Sequence, residues 1–135
     1  MANTVYGLAK QAFGSGNIDW INDNVKAVLV DTASYTANFT TDEFLDDIPA
    51  GARKGTTAAL TGKATTLGAL IASSATWTAV AAGSAIEAVV FFIDTGTEST
   101  SRLIGYYDTA TGLPITPNGQ DIALVLPGTG VFQIG

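Results

Sequence analysis

The sequence predicts a mainly β fold, an antiparallel β-sandwich or barrel preceded by a short N-terminal α-helix. From Asn24 onward, short runs rich in β-branched and aromatic residues alternate with clusters of Gly, Pro, Asn, Asp and Ser, the rhythm of strands joined by turns. Helical spacing is confined to residues 4–13, where Val5, Leu8, Ala9, Ala12 and Phe13 fall at i, i+3, i+4, i+7 and i+8. The 135 residues, 47% of them hydrophobic, are the size of one domain spanning residues 1–135. Such a domain buries about two thirds of its unfolded surface and folds without staples.

The helix has its signals in place: Asn3 or Thr4 can cap its start, and Gly14 with Ser15-Gly16-Asn17 supplies residues that tolerate positive φ at its end. About ten residues are too few to be helical alone, so it must pack on the sheet. The first strand is expected over Val25–Val30, followed by strands in Arg53–Thr61, Ala75–Val80 around Trp77, Ile86–Asp94 and Arg102–Asp108. In Asp121–Leu126 the alternation of Ile122, Leu124 and Leu126 against Ala123 and Val125 gives one buried face, and Val131–Ile134 is expected to close the sheet. Thr109–Gln120 holds Gly112, Pro114, Pro117, Asn118 and Gly119 and reads as a turn-dense connection. Thr41–Pro49 fits one helical turn inside a long connection, and Leu67–Ser74 fits either a loop or a weak strand. Ile86–Ile93 is so nearly continuous in apolar residues that both of its faces need cover, and the N-terminal helix is the nearest candidate.

Composition removes several kinds of chemistry. The chain has no His and no Cys, hence no thiol nucleophile, no Ser-His-Asp triad and neither of the usual zinc ligands. Twelve acidic against six basic side chains give a net charge of -6 and a pI near 4.2, and the basic residues are scattered apart from Arg53-Lys54, which disfavours nucleic acid as a partner. The start MANTVYGLAK lacks the basic and apolar regions of a signal peptide, so synthesis in a cytoplasm is expected. The most apolar run, Ala85–Ile93, carries Glu87 and is much shorter than the ~20 residues that cross a bilayer, so no membrane partner is expected.

Asp42, Glu43, Asp46 and Asp47 form an acidic cluster, but their spacing matches no calcium loop, and a solvated acidic turn is the expected reading. Carboxylate pairs for glycosidase chemistry occur by chance among twelve acidic residues, and no Ser or Thr sits in a nucleophile motif. The sequence therefore predicts no catalytic residue, no metal site and no cofactor. Gly14-Ser15-Gly16 and Gly128-Thr129-Gly130 lack the strand, helix and Lys-Ser/Thr context of a phosphate loop and read as turns. Asn38-Phe39-Thr40 matches a glycosylation acceptor by chance. Trp20, Tyr35, Trp77, Tyr106 and Tyr107 are candidates for a flat sugar-binding platform, although aromatic residues more often anchor a core or an interface. Trp20 in particular is placed to staple the helix to the first strand. Trp20, Phe44, Tyr106 and Tyr107 are the candidate interface residues.

The order of segments also resembles a family of small virion proteins of tailed bacteriophages. The likeness is carried by Leu8–Phe13, Gly16–Trp20, Val25–Asp31 with Tyr35, Phe44–Arg53, Ala59–Lys63 as a further strand, and most strongly by Glu87–Asp121, where Ile93–Thr97, Ser101–Asp108 and Gly112–Gly119 keep order and spacing. Residues 64–85 and about the last ten match least. The resemblance implies a non-enzymatic virion component, most like a capsid decoration or cement protein that binds the major capsid protein or other virion proteins across subunit joints. It also implies self-association as a trimer or dimer. A tail, neck or fibre-attachment part is the alternative within the same family, and a displayed carbohydrate-binding module is the alternative of another kind.

Overall fold

The computed structural model describes residues 4–73, 75–108, 113–124, 126 and 130–133. In chain order the elements are β1 (Thr4–Val5), α1 (Gly7–Gly14), β2 (Val25–Val30), β3 (Arg53–Thr56), β4 (Ala64–Thr66), β5 (Ala69–Ile71), β6 (Ala75–Trp77), β7 (Ala88–Ile93), β8 (Leu103–Tyr107), β9 (Ile122–Leu124) and β10 (Phe132–Gln133). Single 3-10 turns lie at Leu45–Asp47, Ala50–Ala52 and Glu98–Thr100. The fold is mainly β with antiparallel sheets and one short helix near the N-terminus, as the alternation of strand and turn residues predicts. No closed barrel forms among the described residues: the largest sheet runs β1-β8-β7-β2-β3 and ends in two edges.

β7 is the centre of that sheet because it is the segment with the most apolar surface to hide. All six of its residues are buried, and it pairs with β2 from Val25↔Ile93 to Val30↔Ala88 and with β8 on its other side. On one face, Phe91 and Tyr107 meet Phe132 of β10 edge-on, at ring-centre distances of 5.2 and 6.5 Å. This brings the three-stranded sheet β10-β5-β4 against the five-stranded one. Gly105 permits the approach, since a β-carbon there would stand 2.5 Å from the Phe132 ring. On the other face Tyr106 meets Phe39, which in turn meets Tyr6 ahead of α1. The cover that the apolar run demands therefore comes from the helix together with the long connection after β2. The third sheet pairs β6 with β9.

Several sequence expectations need correction. The helix begins at Gly7, not at residue 4, and its cap residue is Tyr6, not Asn3 or Thr4. The backbone of Thr4–Val5 instead pairs with the open edge of β8, and the Tyr6 amide donates to Ile104 O at 3.0 Å. These amides gain sheet partners that one more helical turn would not give them. The strand expected to reach Thr61 stops at Thr56, and Ala59–Lys63 forms no strand. Val131–Gln133 does not close the main sheet: β10 pairs with β5 in the second one. The segment left open between loop and strand contains β5, which is hydrogen-bonded on both sides, by β4 and β10. Ile86 stands just before β7 in an isolated bridge to Ile115 within the turn-dense connection. Asn3, Ser74, residues 109–112, Val125, Gly128, Thr129 and Ile134 lie outside the described residues.

Candidate functional site

The four candidate interface residues do not converge. Trp20 is buried, its ring 6.4 Å from that of Phe91 and its Nε1–H donating to Ile71 O at 2.9 Å. It staples the connection after α1 onto β5, not onto the first strand as its sequence position suggested. Tyr106 and Tyr107 are buried on opposite faces of β8, where burial pushes both phenols above their ordinary pKa. Neighbours in a strand point to opposite sides, so the two rings cannot form one platform. The sugar-platform expectation fails for both, and for Tyr35 and Trp77, which are buried as well. Phe44 alone stays partly exposed, with the Arg102 guanidinium 5.2 Å from its ring centre and Glu43 holding that guanidinium at 3.0 Å.

The acidic cluster also disperses on folding. Asp42 accepts a hydrogen bond from the Tyr35 hydroxyl at 2.7 Å and from the Asn38 amide at 2.9 Å. Because the single proton of Tyr35 points to Asp42, the Tyr6 hydroxyl, 2.7 Å away, must be the donor to Tyr35. This buried relay fastens the connection to the residue that precedes α1, and burial drives both phenols upward in pKa. Asp47 closes the 3-10 turn by accepting the Glu43 and Phe44 amides at 2.7 and 3.1 Å. Among the described residues no group of three acidic side chains is placed to hold a metal ion.

Most of the remaining carboxylates follow the same rule. Asp94, one residue past β7, grips Lys26 of β2 at 2.6 Å, and the hydrogen bond from Lys26 holds it below the usual carboxylate range. Glu98 takes Arg53 at 2.9 Å and is lowered for the same reason. Glu87 accepts the Thr32 amide and hydroxyl, Asp121 the Ala79 amide, and Asp31 the Ala33 amide. Asp19 and Asp23 organise the turn that leads to β2. Ten of the twelve acidic side chains thus hold a named amide, hydroxyl or cation in place.

One surface feature went unread in the sequence. β4 and β5 form a hairpin whose two-residue turn, Leu67-Gly68, has positive φ at both positions, 49° and 85°. Such turns ordinarily use Asn-Gly or Asp-Gly. Here the first position holds a leucine that is 96% exposed. Beside the hairpin lies an open groove of about 350 Å³ lined by Phe13, Ile18, Trp20, Ile21, Thr65 and Leu70. The available signal was the Leu-Gly pair between two short β-prone runs, which lacks the polar first residue that announces a hairpin. No helix among the described residues is long and apolar enough to cross a membrane. A comparison with protein-family models finds no match, and neither does a comparison with curated proteins.

Proposed function

We propose that this chain is a non-enzymatic structural component of a phage virion, and within the virion a capsid decoration protein bound across subunit joints. The observation that carries this reading is how the polar groups are used. Carboxylates, phenols and indoles that catalysis or sugar binding would need at a surface are engaged in fastening connections to the sheets, as in Tyr6–Tyr35–Asp42, Lys26–Asp94 and Trp20–Ile71 O. A part whose work is to remain rigid while burying area against neighbours needs that arrangement. The ordered likeness of Glu87–Asp121 to small virion proteins supports the same reading. The carbohydrate-binding alternative is weakened by the burial of Tyr106 and Tyr107.

The decisive experiment is fractionation. Phage particles separated into heads and tails are probed for this chain, and recovery with heads at the copy number of a lattice site is the expected result. Recovery only with tails overturns the decoration reading in favour of a tail, neck or fibre-attachment part. Absence from particles overturns both.

A further inference from the structure

Leu67 breaks two local preferences together. A non-glycine residue in the left-handed region is strained, and a leucine there that is 96% exposed contributes nothing to the chain's own core. Departures of this kind from local sequence preference concentrate at functional positions. The hairpin Ala64–Ile71 that carries it has no charged residue, although the whole chain has a net charge of -6.

The groove beside the hairpin supplies a matching recess. Thr65 and Leu70, which face each other across the hairpin, line it together with Ile18, Trp20 and Ile21 from the connection after α1. Ile21, 49% exposed, is the other large apolar side chain left open on the described surface. The groove's volume of about 350 Å³ has ample room for a leucine side chain. Its rim carries one carboxylate, Asp19, whose oxygens accept hydrogen bonds from Ile21 and Asn22. Two like-charged copies repel over most of their surfaces, but here an uncharged tip meets an apolar recess whose lining has a single charge, so repulsion is least at this contact.

We propose that the β4–β5 hairpin is a docking finger for a second copy of this chain, with Leu67 of one copy seated in the groove of the next between Ile21 and Leu70. Finger and recess lie side by side, so a two-fold pair exchanges both contacts, and a closed ring uses each once per joint. A stable joint of about 800 Å² per partner covers roughly an eighth of the 6357 Å² surface, so the finger acts as anchor within a wider contact. This deepens the structural reading above by naming the surface through which copies meet.

The test is sedimentation equilibrium of the wild-type chain and of Leu67→Asn across a wide concentration series. Asn followed by Gly suits this turn better than Leu, so the variant keeps the hairpin while removing the apolar anchor. The expected result is concentration-dependent association of the wild type, weakened about tenfold to a hundredfold in Leu67→Asn, with an unchanged circular dichroism spectrum. Ile21→Lys, which spoils the recess, should weaken association similarly. An equimolar mixture of the two variants should associate more tightly than either alone, because an intact finger then meets an intact recess. A wild type that stays monomeric, whether because another partner fills the groove or because nothing does, overturns the proposal. So does equal association of wild type and Leu67→Asn. Neither outcome bears on whether the chain sediments with phage heads, so the two readings fail separately.

Discussion

The five-stranded sheet and the β4–β5 hairpin obey opposite rules. In β7 every residue is buried, and ion pairs tie Lys26 of β2 to Asp94 just past β7 and Arg53 of β3 to Glu98 in the connection that follows. In β4 every residue is exposed, no charge lies between Ala64 and Ile71, and the turn places a leucine in water. Sequence patterns that describe the first region mislead in the second. A strand buried on both faces announces itself by an apolar run, whereas a short exposed strand held by hydrogen bonds to one neighbour leaves almost no trace in composition. The central sheet is where stability is concentrated, and the hairpin is where the surface departs from what stability alone would select.

Substitutions in the two regions should therefore separate widely. Phe91→Ala removes a fully buried ring that meets Trp20, Tyr107 and Phe132, and a loss of about 3–5 kcal/mol is expected in urea denaturation. Thr65→Ala on the exposed strand, measured the same way, should stay within about 0.5 kcal/mol. Equal losses would abolish the contrast. Gly105→Ala forces a methyl against the Phe132 ring and should cost about 1–3 kcal/mol, with near-ultraviolet circular dichroism reporting disturbed aromatic packing.

The Tyr6–Tyr35–Asp42 relay gives the fold an alkaline limit. Both phenols titrate above their ordinary value of 10.0 in the folded chain because burial disfavours the phenolate. Above about pH 10 the unfolded chain binds fewer protons than the folded one, so stability must fall as pH rises through that range. Tyr35→Phe should flatten that fall while lowering stability near neutrality by about 1–3 kcal/mol, since Asp42 and Tyr6 each lose a partner. A pH profile of the same slope in wild type and variant would remove the relay from this role. A gain, not a loss, is expected at Leu67→Asn, where relief of the left-handed strain should raise the stability of the monomer by up to about 1 kcal/mol in the same denaturation measurement.

Legibility in the sequence followed how much surface each element buries. Val25–Val30 is found at the boundaries its apolar pattern predicts, and β7 lies within the predicted Ile86–Asp94. The start of α1 is not legible, because amphipathic spacing at Val5 is satisfied equally well by a residue on a sheet edge, and only tertiary pairing with β8 decides between them. The end of β3 is equally illegible, because Thr57 has the composition of a strand residue but hydrogen-bonds to β2 through its hydroxyl as well as its backbone. The candidate site residues were legible as anchors and illegible as a surface. Aromatic side chains in a small β domain have the same composition whether they face a core or a ligand, and Trp20, Tyr106 and Tyr107 proved to face the core.

Where β3 ends, β2 still has backbone groups to pair. The Ala27 amide donates to the Thr57 hydroxyl at 3.1 Å, the Ala27 carbonyl takes both the Thr57 amide at 2.9 Å and the Trp77 indole at 3.0 Å, and the Leu60 amide donates to Val25 O at 2.8 Å. Side chains and a loop thus stand in for the missing length of strand. An intruding strand from another molecule finds the hydrogen-bonding groups of Val25 and Ala27 already engaged, so this stretch offers no template for the sheet-to-sheet growth that leads to fibres. Protection of this stretch is therefore part of the fold itself and needs no charged or proline gatekeeper on β2.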